Sequence, residues 1–200
     1  SGSLHVARSG GADAMLVFEN TLGTNPFQVG QGNDDSLRFY YNASEAIRIL
    51  SSGGLTFNGD TAAANALDDY EEGTYTANVK DNSGNTSSYT STGYYIKIGN
   101  FVHVSAYLPN IDTTGLVSTD SFYITLPFAG IIGYYGVGSC ITDNVTFSSG
   151  RTQVSARTST TADTVFFRGS GSAVGDDAIL VSEISSGVTD IFFSVGYRTS

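Results

Sequence analysis

The side chains best suited to move protons, attack carbonyls or hold metals are scarce in this chain of 200 residues: there are two histidines, His5 and His103, and one cysteine, Cys140. A Ser/His/Asp scheme needs a base beside its nucleophile and its acid. His5 falls in a repetitive N-terminal segment, which leaves His103 as the candidate base. Around it, strand alternation puts Phe101, His103, Ser105 and Tyr107 on one face and Val102, Val104, Ala106 and Leu108 on the other. The second face reads as core and the first as the wetter side, so His103 is expected as a strand residue without catalytic duty. Paired carboxylates cleave glycosidic bonds, and Asp68/Asp69, Glu71/Glu72 and Asp176/Asp177 supply acids. Immediate neighbours in sequence seldom converge on one bond, so these pairs read as surface. Asp81-Asn-Ser-Gly-Asn85 is a poor calcium loop: Ser83 stands where a second acid or amide is wanted, and Gly84 comes one position early. No metal-ligand set and no cofactor motif emerges, and the expectation is a protein that is not an enzyme.

Recognition has better material. Sugars are held by aromatic platforms and short hydrogen bonds, and Tyr89, Tyr94, Tyr134, Tyr135 and Tyr197 lie near turns among Ser, Thr and Asn. The segment Gly130-Ile-Ile-Gly-Tyr-Tyr-Gly136 reads as an exposed tip as readily as a buried strand. Tyr134 and Tyr135, with Tyr94 and Tyr89, are therefore the candidate receptor-binding residues.

These side chains must be positioned by strands. Gly 24, Tyr 12 and Phe 12 against 14% charged residues describe a turn-rich β protein. The net charge of −10, with Lys80 and Lys97 isolated, excludes a nucleic-acid surface and fits anionic membranes poorly. No apolar run reaches the length of a membrane span. Four acids and no base fall in residues 61–73, which marks a solvated collar. A lone cysteine forms no intrachain disulfide and fits folding in a reducing cytoplasm.

The first sixty residues carry six apolar-x-apolar pairs: Leu4/Val6, Leu16/Phe18, Phe27/Val29, Leu37/Phe39, Ile47/Ile49 and Leu55/Phe57, with starts separated by 12, 11, 10, 10 and 8 residues. Each pair marks one face of a short strand, and Gly, Ser and Asn fill the gaps. The burial available to twelve such side chains falls short of the entropy lost in ordering the segment. Partner chains are therefore expected to complete it, as an intertwined trimeric β shaft over 1–60 with Leu16, Phe18, Phe27, Val29, Leu37, Phe39, Ile47, Ile49, Leu55 and Phe57 pointing inward. Residues 61–73 read as a short helical junction, capped by Asp60 or Thr61, rich in alanine and ended by Gly73, with Leu67 facing the axis. From Thr74 onward about nine short strands favour an antiparallel, jelly-roll-like β-sandwich knob over 74–200.

Asn58-Gly-Asp60 followed by Ala64-Asn-Ala-Leu-Asp-Asp-Tyr-Glu-Glu-Gly-Thr-Tyr75 resembles a segment of bacteriophage tail-fibre and related virion appendage proteins that precedes their C-terminal domain. Gly93-Tyr-Tyr-Ile-Lys-Ile-Gly-Asn-Phe-Val102, Ile124-Thr-Leu-Pro-Phe128 and Ser194-Val-Gly-Tyr-Arg-Thr199 are similar to recurring patterns of those C-terminal domains. Together these stretches span about two thirds of the chain. The resemblance implies a homotrimer in the virion, assembled in the host cytoplasm, whose loops carry host specificity and whose N-terminal part joins other virion proteins. The expected function is host attachment through a bacterial surface glycan. A polysaccharide-degrading tailspike, which needs a carboxylate pair in a groove, and a purely structural fibre or capsid decoration are the alternatives.

Overall fold

The computed structural model describes residues 13–19, 26–67, 69–148, 150–159 and 163–199. The pair Leu4/Val6, His5 and Asp68 lie outside them. The chain is nearly all β and divides into two compact units, Ser1–Asp69 and Tyr70–Ser200.

In the first unit the five apolar pairs from Leu16 to Phe57 become five strands: β1 (Ala14–Phe18), β2 (Phe27–Gln31), β3 (Leu37–Tyr41), β4 (Ser44–Ile49) and β5 (Leu55–Phe57). Each pairs antiparallel with its neighbour in sequence, giving one meander. This differs from an intertwined shaft. The short repeat closes tight hairpins within one chain, of which Tyr41-Asn-Ala-Ser44 is the tightest, with Asn42 and Ala43 both at positive φ (48° and 60°). Leu67 exchanges both backbone hydrogen bonds with Leu55 and extends the sheet.

The register places one residue from every strand, Leu16, Val29, Phe39, Ile47 and Phe57, in a single cross-strand row. Phe18, Phe27 and Tyr41 form a second row, and Leu37, Ile49 and Leu55 a third. The opposite face carries Gly30, Arg38, Arg48 and Thr56 in one row. Gly30 is required there, since a Cβ would stand 1.9 Å from the Ala14 carbonyl oxygen.

The helical junction is corrected. Among the described residues of 61–73 only a single 3-10 turn forms, at Ala63–Asn65, where Asp60 accepts hydrogen bonds from the Ala62 backbone N–H (2.8 Å) and the Asn65 amide (2.7 Å). So short an alanine run cannot offset helix nucleation. Leu67 and Tyr70–Gly73 instead satisfy their backbone groups in ladders with Leu55 and with Tyr95–Ile98.

The second unit contains β6 (Tyr70–Asp81), β7 (Thr86–Ile98), β8 (Phe101–Leu108), β9 (Phe122–Thr125), β10 (Val137–Asp143), β11 (Gln153–Thr158), β12 (Thr164–Gly171), β13 (Val174–Ala178) and β14 (Asp190–Arg198). Hydrogen bonding runs β6–β7–β8–β14–β10–β11–β12–β9 and returns to β6, a closed antiparallel ring of eight strands with β13 added beside β12. A two-sheet jelly roll is thus not what forms. The four-residue β9 closes the ring, pairing Tyr123 with Lys80 on one side and Phe166 on the other. Eight strands enclose a space that side chains alone can fill. Val102, Val104, Ala106 and Leu108 line it as expected, with Phe122, Phe167, Phe193 and Ile124, all buried. Phe167 meets Phe122 and Phe193 at ring-centroid distances of 5.8 Å and 5.7 Å.

Candidate functional site

Period two also decides the outside of the barrel. On β7, β8, β14 and β10, which are adjacent in that order, the outward residues fall into rows. Tyr94, Ser105, Ser194 and Ser139 make one. Tyr107, Phe192 and Ile141 make the next. Asp190 and Asp143 follow. On the other side of the serines lie Ile96, His103, Gly196 and Val137. A depression of about 370 Å³ opens over the first two rows.

Its walls are aromatic. The Tyr107 and Phe192 rings stack 3.9 Å apart at 9°, and the Tyr107 hydroxyl donates to Asp190 Oδ2 at 2.8 Å, which fixes the ring. The neighbouring Asp190 and Asp143 carboxylates, with burial, push the Tyr107 phenol above its ordinary range; the hydrogen bond to Asp190 is the largest cause. Tyr94 stands opposite, 61% exposed, between this depression and two others along β6, β7 and β8. The floor carries hydroxyls. Among the described residues the Ser105 and Ser139 hydroxyls have no side-chain hydrogen-bond partner within the chain, and Ser194 Oγ lies 3.3 Å from His103 Nε2.

Tyr134 and Tyr135 occupy an exposed loop between β9 and β10, with Gly133 at φ +88°, and the Tyr135 ring packs 4.6 Å from the Arg157 guanidinium. Tyr89 is withdrawn: it is half-buried and its hydroxyl donates to the Pro109 carbonyl at 2.7 Å. Tyr197 is buried and bonds the Phe128 carbonyl. Of the four receptor-binding candidates, Tyr94 alone lines the depression. Phe192, Tyr107 and the serine row were missed because their adjacency depends on β14 pairing with β8, more than eighty residues away in sequence.

The acids are engaged elsewhere. Asp176 accepts from Arg168 Nε at 2.9 Å, Asp177 lies 3.4 Å from Arg151, and Glu71 lies 3.6 Å from Lys97. Asp81 is buried and receives the backbone N–H groups of Ser83, Asn85 and Val117, so its oxygens close turns. Among the described residues no group of three His, Cys, Asp or Glu is arranged to hold a metal, and no helix is long and apolar enough to cross a membrane.

In the first unit the ten residues expected to meet partner chains lie in the three rows of one sheet face. Eight of them are exposed, from Ile47 at 37% to Phe27 at 61%, while Val29 and Leu55 are half-buried. The opposite face is sealed by ion pairs: Arg38 with Asp13 (3.0 Å) and Asp34 (2.7 Å), and Arg48 with Asp34 (2.8 Å) and Glu45.

Comparison with protein-family models, with curated protein sequences and with solved structures finds no match to this chain.

Proposed function

We propose that the chain is a non-enzymatic part of a phage host-attachment appendage, a homotrimer whose second unit recognises a bacterial surface glycan. The class comes from the resemblance of residues 58–75, 93–102, 124–128 and 194–199 to tail-fibre proteins. The observation that supports assembly is the first unit's one-sided sheet: every described apolar pair falls on a single exposed face, while the other is closed by arginine–carboxylate pairs. A face with nine exposed large apolar residues, counting Leu67, exceeds what a monomer leaves in water. Three copies joined through it bury Leu16, Phe39, Ile47 and Phe57 together.

Light scattering on the intact chain tests the assembly, and a glycan array with analysis of reducing ends tests the activity. The expected results are a trimeric mass at micromolar concentration and glycan retention without fragment release. Ile47→Asp should convert the trimer to smaller species, because three carboxylates would meet in one dry layer, whereas a charge at Asn42 should not. A folded monomer would refute the assembly, and released sugar fragments would move the protein to the depolymerase class.

A further inference from the structure

We propose that the depression between Tyr94 and the stacked Tyr107–Phe192 pair is a saccharide subsite selective for neutral pyranoses over acidic ones. This rests on the attachment reading above and gives it a location and a ligand class.

The occupant follows from the chemistry of the rows. A pyranose presents C–H bonds on its faces and hydroxyls around its edge. Tyr94 and the Tyr107–Phe192 stack offer apolar ring surface on either side of a floor of hydroxyls from Ser105, Ser194 and Ser139. The Ser105 and Ser139 hydroxyls have no partner within the chain among the described residues, so each offers a donor and two acceptor lone pairs. The core of a contact between protein subunits is depleted in serine and enriched in aromatics. Three aligned serines at the centre of this wall suit a hydroxylated ligand better than a second copy. The volume, about 370 Å³, lies in the range of small-ligand sites.

Charge sets the selectivity. Asp190 and Asp143 face each other across β14 and β10 immediately beyond Phe192 and Ile141, and Asp190 already holds the Tyr107 hydroxyl. A uronic or sialic acid bound over the aromatic row would bring its carboxylate toward two others, in a protein of net charge −10. His103 borders the serine row on the opposite side.

The test uses the full chain and saturation-transfer NMR with methyl α-D-glucopyranoside, methyl β-D-galactopyranoside and methyl β-D-glucuronide at millimolar concentration. At least one neutral glycoside should bind, and the glucuronide at least about tenfold more weakly. Tyr94→Ala should weaken the neutral ligand by about tenfold or more while unfolding temperature and oligomeric mass stay unchanged. Asp143→Asn should bring the glucuronide toward the neutral ligands. No response to either neutral glycoside, or a response indifferent to Tyr94→Ala, would overturn the subsite. So would Ser139→Trp lowering the oligomeric mass, which would make this wall a contact between copies. Cell binding that survives Tyr94→Ala removes the subsite and leaves the attachment reading standing. Glycoside binding by a protein that binds no bacterial cell surface supports the subsite and refutes attachment.

Discussion

Arg38 and Arg48 face each other across the β3–β4 ladder with both guanidinium groups largely buried, and Asp34 spans them, one carboxylate oxygen on each. Two like charges in such proximity persist because Glu45 closes the group, chelating Arg48 through its Nε and Nη2. Hydrogen bonds from Ser36 and then Arg38 hold the Asp34 carboxyl well below the ordinary aspartate range, and Arg38 is pushed up, first by its hydrogen bond to the Tyr40 hydroxyl and then by the one to Asp34. Glu45→Gln removes the buried negative charge and leaves Arg48 under-compensated. It should destabilise the first unit by about 2–4 kcal/mol, read as the earlier transition in chemical unfolding of the intact chain.

Ala43 occupies the second position of the two-residue β3–β4 turn at φ 60°, a conformation that costs a side-chain-bearing residue about 1 kcal/mol. Ala43→Gly should relieve it and raise the first unit's stability by roughly 0.5–1 kcal/mol. Unchanged or lower stability in the same unfolding measurement would show that glycine's larger unfolded-state entropy wins.

Acid should loosen the second unit through Glu183. This buried carboxylate receives Ser148 N–H (2.9 Å), Leu180 N–H (2.8 Å) and Arg151 Nη1 (3.1 Å), tying the 146–148 segment to the 3-10 turn Val181–Glu183. Burial alone would raise its pKa, but the hydrogen bonds from Ser148 and Leu180 and the Arg151 charge together hold it below the ordinary glutamate range. Its folded pKa is therefore below its unfolded one. The stabilisation is complete above about pH 4.3 and lost as pH falls through the folded value. The thermal midpoint of the second unit should drop as pH falls below about 4.3, and Glu183→Gln, costing about 2–4 kcal/mol at neutral pH, should flatten that drop.

Cys140 points from β10 toward the core side of the depression's floor, and burial pushes its thiol up to about 12. At pH 8 it should react with a disulfide reagent at least about a hundredfold more slowly than a free thiol, with fast reaction restored in denaturant. Rapid labelling of the native chain would contradict this placement.

Legibility in the sequence tracked how local the determining contacts are. Phe101–Leu108 was readable to the residue because strict alternation and β-branched side chains agree. The apolar pairs of the first unit likewise gave both the strands and the face they share, but pairing partners are not encoded in periodicity, and within the chain the strands pair as a meander. Composition misled at 61–73, where alanines suggest a helix and the ladder of Tyr70–Gly73 with Tyr95–Ile98 overrides them. Ring closure rests on four residues, Phe122–Thr125, whose two partners lie some forty residues away on either side. For the candidate site, Tyr94 was visible as an aromatic near a turn. Its surroundings were not, since Ser105, Ser194 and Ser139 become neighbours only once β14 inserts between β8 and β10.

The closed ring also bears on how such a protein tolerates crowding. An open sheet offers unpaired backbone groups on which another molecule's strand can template, the first step toward fibrillar deposits. Among the described residues every strand of the ring has a partner on each side over part of its length, while open edges remain where a short partner ends, as on β6 over Tyr70–Ala77, and on the added strand β13, Val174-Gly-Asp-Asp-Ala178. A glycine and two carboxylates, one of them 74% exposed in its side chain, make that edge short, weakly β-forming and repulsive to its own kind. The β13 edge therefore gives the strand of a neighbouring copy little to zip onto, even at high local density.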